Sequence, residues 1–177
     1  MNSNFPWLKF LVGIILFSFW HQLYDFFPST WAAVLAEGEQ ESNFAHMKML
    51  FYPYLLISCF DYYLRRRHHK FVGSSFFFAR LLILVTVPWT FISVFYVPDA
   101  LGIEFPTAIE LYFSIIISWL GVYTAIILEK PLEKIEYGPA LKSLLILFFA
   151  SALIIYTSFS FRTPHFGFFE FHTHDSE

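Results

Sequence analysis

The run Phe76–Val97, FFFARLLILVTVPWTFISVFYV, decides the class of fold. A helix crossing the hydrocarbon core of a bilayer needs about 20 apolar residues, and this run supplies them with a single charge, Arg80. It lacks the strict alternation and the short length, about ten residues, of a membrane β-strand. Over this length in lipid only a helix satisfies its own backbone hydrogen bonds. Four further runs read alike: Phe5–Tyr24, Met47–Leu64, Thr107–Leu128 and Ser143–Phe161. The second is the shortest and carries Pro53 and Asp61, so its helix is expected to begin earlier, near Ser42. The expectation is an all-α integral membrane bundle of about five transmembrane helices, forming one domain over residues 1–177.

Composition agrees. Charged residues are 14% of the chain, against about a quarter in soluble domains. Apolar residues reach 57%, and 25 Phe among 177 residues exceed what one small aqueous core can hide; the surplus is expected to face lipid. The lone Cys59 excludes an internal disulfide and gives no redox compartment. No small-residue cleavage site follows Trp20-His21-Gln22, so the first run is expected to be a retained span. The seven glycines are scattered and form no nucleotide loop, and no repeat or linker divides the chain.

Lys and Arg in short loops set orientation. Arg65, Arg66, Arg67 and Lys70 follow the second run, and Lys130, Lys134 and Lys142 lie between the fourth and fifth. Lys9 stands at the start of the first run, and Arg80, one turn into the third, is expected to snorkel to the same side. With five alternating helices all these clusters face one way, which predicts a cytoplasmic N-terminus and an extracytoplasmic C-terminus. The triple arginine then touches anionic head groups rather than nucleic acid. The expected partner is the lipid bilayer, with a multi-pass placement in the plasma membrane. Between the first two runs Pro28 breaks the helix. Ser29 or Thr30 can cap the next segment, and Trp31–Ala36 makes a short helix expected at the outer interface.

Polar residues gather on that outer side. His21 and Asp25 end the first helix, with Tyr24 between them; Glu41, Ser42, Asn43, His46 and Lys48 open the second. Glu110 lies about one turn into the fourth, and His165, His172 and His174 follow the last. Ionisable groups at membrane depth are costly and usually mark a site. Imidazoles of His21, His46 and His165 could hold a divalent transition metal such as zinc, whose bound water becomes a nucleophile near neutral pH. Glu41 or Glu110 would then be the base, and Tyr24, Asp25, Ser42, Asn43 and Lys48 would bind ligand. Plainer roles compete: Ser42 is a good N-cap, Glu41 suits the positive end of a helix dipole, and His21 can pair with Asp25. Transmembrane ceramidases use a similar Ser-x-x-x-His element, here Ser42–His46, but their paired histidines on a late helix have no counterpart among the five runs.

Asp61 is expected to pair with Arg65 or Arg80, and Pro53 and Pro88 to kink their helices. Thr107, Glu110, Ser114, Ser118, Gly121 and Ala125 form a small, polar stripe that suits close helix approach.

His21-Gln22-Leu23-Tyr24-Asp25 followed by Glu41–Pro53 resembles an uncharacterised family of small multi-spanning membrane proteins. Its motif is His-x-x-Tyr-Glu, then Asn-Glu-Ser-x-x-Glu-His-x-Lys-Leu-x-Phe-x-Pro. The chain matches at His21, Tyr24, Glu41, Ser42, His46, Lys48, Phe51 and Pro53, and Thr163-Pro164-His165 is similar to a closing Pro-Pro-His segment. Gln40 and Ala45 depart from it; without a glutamate before the histidine, the capping box of that motif is lost. The resemblance implies a multi-spanning fold and sharpens the outer cluster without supplying an activity. Three classes of function remain open: a ligand- or metal-binding membrane protein, a metal-dependent hydrolase of lipid-like substrates, and an accessory subunit, homo-oligomer or small-solute transporter.

Overall fold

A computed structural model describes residues 6–28, 30–36, 43–162 and 164. Within them lie eight helices and no strand: α1 Pro6–His21, α2 Leu23–Phe26, α3 Trp31–Ala36, α4 Asn43–Arg67, α5 Ser74–Phe95, α6 Val97–Ala100, α7 Thr107–Leu132 and α8 Pro139–Phe161. The five long helices answer to the five apolar runs. Three stretches, Ser74–Phe95, Ala108–Leu132 and Pro139–Phe161, are long and apolar enough to cross a membrane.

α1 is apolar but shorter, and α4 fails for a different reason. It is 25 residues long yet carries Lys48, Asp61 and three terminal arginines. Its neighbours explain this: α4 packs against α1, α3, α5 and α7, and Phe44, Met47, Met49, Phe51, Tyr52 and Tyr54 are all buried. A helix enclosed by protein is relieved of the demand for an apolar surface on every side.

Local sequence sets the ends. Gly73 and Gly138 precede α5 and α8 in extended conformation, and Pro139 occupies the first turn of α8, where its missing N–H costs nothing. Thr30 caps α3, its Oγ1 accepting from the Ala33 amide at 3.3 Å. The Ser42 cap expected for α4 lies outside the described residues. α3 is part of the packed bundle: Ala33 and Ala36 are fully buried, and the helix packs against α2, α4 and α8.

Glycines permit the tightest crossings. A Cβ on Gly13 of α1 would stand 2.7 Å from Val122 Cγ1 of α7, and one on Gly121 3.1 Å from a methyl of Leu50. The small stripe of α7 is thus used within the chain, with Ala125 buried as well. Opposite faces stay open, among them Leu144, Leu147 and Ile154 of α8.

Candidate functional site

Polar side chains collect at both ends of the bundle. At the Lys9 end six charges from four elements interlock. Lys9 Nζ of α1 donates to Glu129 at 2.6 Å and to Asp61 Oδ2 at 3.1 Å. Arg80 of α5 reaches Glu133 Oε1 at 2.6 Å, Asp61 Oδ2 at 2.9 Å and Glu129 Oε2 at 3.2 Å. Arg65 of α4 adds Asp61, one turn earlier on its own helix, and Glu133 at 3.0 Å. Three cations therefore balance three carboxylates. Tyr54 completes the cluster, its hydroxyl donating to Glu129 Oε1 at 3.0 Å from a buried position.

Phe76 floors the network: the Arg80 guanidinium carbon is 3.5 Å from its ring centroid and that of Arg65 is 4.6 Å away. Arg80 reaches toward the Lys9 end as expected, donating to Phe76 O one turn back, but at 3% exposure it ends on buried carboxylates and not in solvent. Its side chain turns inward because the carboxylates that neutralise it are inside the bundle. Burial pushes the Glu133 carboxyl up, but hydrogen bonds and charge from Arg65 and Arg80 outweigh it and hold the group below the ordinary carboxylate value.

Sequence reasoning paired Asp61 with Arg65 or Arg80, and it meets both. It missed Lys9, Tyr54, Glu129 and Glu133. The signal available was Glu129 and Glu133 four apart on one helical face, just past an apolar run taken to end at Leu128.

At the opposite end the rings of His21 and His46 lie 6.3 Å apart, and His46 stacks on Phe95 at 6.3 Å with an 18° interplanar angle. His46 also lines a recess between α4, α5 and α7, with Phe91, Phe95, Ser114 and Ser118. Glu110 is half-buried, one turn beyond Ser114 on α7. Lys48 is buried at 2% exposure; its Nζ donates to Ser160 Oγ of α8 at 2.9 Å and lies 5.3 Å from the Phe44 ring centroid.

The other candidates are dispersed or undescribed. Tyr24 packs beside the Leu23, Ala33 and Ala36 cluster. Asp25 is exposed on α2, a helix separated from α1 at Gln22. Glu41, Ser42 and His165 lie outside the described residues, as does the Asn43 side chain. Among the described residues no three His, Cys, Asp or Glu converge as a metal site would require.

An all-helical chain with three helices long and apolar enough to cross a membrane, and with polar clusters at both bundle ends, is the class defined by these features. The model of a family of unknown function (DUF6512) matches residues 2–175, and the chain belongs to that family. No curated protein and no solved structure matches it. The expected uncharacterised family accords with this match to a family of unknown function.

Proposed function

We propose that the chain is a five-span protein of the plasma membrane, N-terminus cytoplasmic and C-terminus outside, that binds a small polar or amphipathic ligand at its outer end. In this reading α1 and α4 cross with the three apolar helices, and the lipid bilayer is the partner of the exposed apolar faces. Nucleic acid has no part in it.

One observation carries the binding reading. His46 both faces His21 across 6.3 Å and lines the recess with Ser114 and Ser118, so polar groups from α4 and α7 meet beside an aromatic wall. A few polar groups converge there in an otherwise apolar concavity, as in ligand sites, and its volume of about 20 Å³ suits an ion or a water-sized polar group. Lys48, Glu41, Ser42, Asn43, Tyr24 and Asp25 stay candidates for ligand contacts by their place in the sequence, Lys48 being suited to an anionic group.

A second reading takes His21 and His46, 6.3 Å apart, as two ligands of a transition metal such as zinc, with His165 as the third ligand and Glu41 or Glu110 as the base. A lipid-like substrate would then be hydrolysed at the membrane surface. An accessory subunit, homo-oligomer or small-solute transporter is less favoured, because the small stripe of α7 is already packed against Leu50 and Phe91 of this chain.

The test is mass spectrometry and elemental analysis of untagged protein in mild detergent, wild type beside His46→Ala. A small molecule or about one equivalent of metal, absent from a correctly assembled variant, supports a site at His46. Identical contents in both proteins sink it.

A further inference from the structure

The chain leaves α4 through its densest run of basic residues, Arg65-Arg66-Arg67-His68-His69-Lys70. The structure divides that run. Arg65 turns back into the charged network, onto Asp61 and Glu133. Arg66, Arg67, His68, His69 and Lys70 are exposed, and none of these five side chains makes a hydrogen bond or ion pair with a described residue. They are not needed to finish the helix either. The amides of His68, His69 and Lys70 bond back to the carbonyls of Leu64, Arg66 and Arg65 at 3.1, 3.0 and 2.9 Å. His69, at φ 53°, takes the left-handed position that glycine usually fills at such an end. The turn is closed by its own backbone, which leaves its cations to a partner outside the chain. Phe71 follows at once and is 93% exposed. No carboxylate stands between Tyr62 and Ser75. The neighbouring connection, tied to this one by Ser75 Oγ donating to Ile135 O at 3.2 Å, is different. There Lys130, Lys134 and Lys142 are spread out with Glu136 among them, and Lys142 lies over the Phe78 ring.

We propose that the turn between α4 and α5 binds the head group of an anionic phospholipid. Arg66, Arg67 and Lys70 meet the lipid phosphate, and Phe71 enters the acyl layer beside it. Basic residues directly past a membrane span are drawn to anionic lipid, each adding to the attraction. Guanidinium groups suit the phosphate because their donors form a fixed fork. Charge alone would hold any polyanion. The adjoining aromatic ring selects a lipid, since a basic patch beside an apolar anchor supplies the two signals that hold a segment on a bilayer. The triple arginine of the sequence thus gives up its first member to the bundle, and the site gains Lys70 and Phe71 instead. The inference uses the membrane-spanning part of the reading above and not the ligand at His46, so His46→Ala should leave it intact.

The experiment offers the full chain, in neutral detergent, equal amounts of phosphatidylglycerol and phosphatidylcholine with the same acyl chains. Native mass spectrometry reads the lipid retained, and phosphatidylglycerol should exceed phosphatidylcholine several-fold. Arg66→Gln, Arg67→Gln and Lys70→Gln should each lower that ratio several-fold, and the three together should bring it to parity. These side chains have no partner among the described residues, so the variants should assemble as wild type does, checked by gel filtration and circular dichroism. Lys130→Gln with Lys134→Gln should keep the preference. Phe71→Ala should weaken retention of phosphatidylglycerol. Excess glycerophosphoglycerol, the same head group without acyl chains, should not displace the lipid.

Equal retention of the two lipids by wild type overturns the proposal. So does a preference that survives the triple substitution in a correctly assembled protein, or one that is lost with Lys130 and Lys134 instead. Displacement by glycerophosphoglycerol, or retention indifferent to Phe71→Ala, overturns the lipid as the partner. A preference abolished by His46→Ala would place the lipid at the opposite end of the bundle and overturn the site at this turn.

Discussion

Arg80 on α5 and Glu129 on α7 meet at 3.2 Å with side chains only 4% and 7% exposed. The guanidinium is held from three sides by carboxylates and from below by Phe76. Taking one member from such a pair strands the others, which costs far more than the pair itself contributes.

Arg80→Ala is therefore expected to destabilise the bundle by about 3–5 kcal/mol, read from denaturant unfolding in detergent. Combined with Glu129→Gln, the losses should fall short of additive, with a coupling of about 0.5–3 kcal/mol. Strict additivity would mean the two groups do not act as one unit.

Gly13→Ala should cost about 1–3 kcal/mol by overpacking, since its Cβ would meet Val122 Cγ1 at 2.7 Å. Adding Val122→Ala should return part of that loss. A single variant as stable as wild type would show that α1 does not cross α7 at this point.

Thr30→Ala removes the cap of α3 and should cost about 1 kcal/mol. The effect should be local, seen as faster amide exchange across Trp31–Ala36, because Ala33 and Ala36 seat that helix. Unchanged exchange there would argue that packing alone holds α3.

Acid should loosen the Lys9 end. Glu133 has a depressed carboxyl value in the folded chain, so its contribution is fully present above the unfolded value of about 4.3. That contribution is lost as pH falls through the lower folded value. Thermal midpoints between neutral pH and about pH 3 should fall for wild type and fall less steeply for Glu133→Gln. Equal slopes would remove Glu133 from the account.

Sidedness can be read with an impermeant maleimide on sealed cells or vesicles. In a Cys59→Ser background, Gly102→Cys should label from outside and His69→Cys only after permeabilisation. Both labelling from one side would exclude the five-span arrangement.

The helices were legible because their signal is local. Phe76–Val97 and Thr107–Leu128 announce themselves by composition alone, and the observed α5 and α7 differ only at their ends. A cap at Ser29 or Thr30 was legible for the same reason, since a cap acts over three residues; the structure gives that role to Thr30. The recess at His46 was half legible: His46 stood out as an ionisable group near a span end, whereas Ser114 and Ser118 read only as packing residues. Nothing in a helical stripe distinguishes a side chain that lets a neighbour approach from one that lines a gap.

By itself the sequence determined the helical class, the five long helices and the segregation of Lys and Arg, all of which come from hydrophobicity and charge read in short windows. Only the tertiary structure decided that Arg80 turns inward, that Lys9 finds Glu129 across 120 positions, and that Leu50 packs over Gly121. Burying a charge demands a counter-charge, but it does not specify which of several is brought near. That choice belongs to the way α1, α4, α5 and α7 cross, and the crossing is fixed by shape at Gly13 and Gly121 rather than by any pattern along the chain.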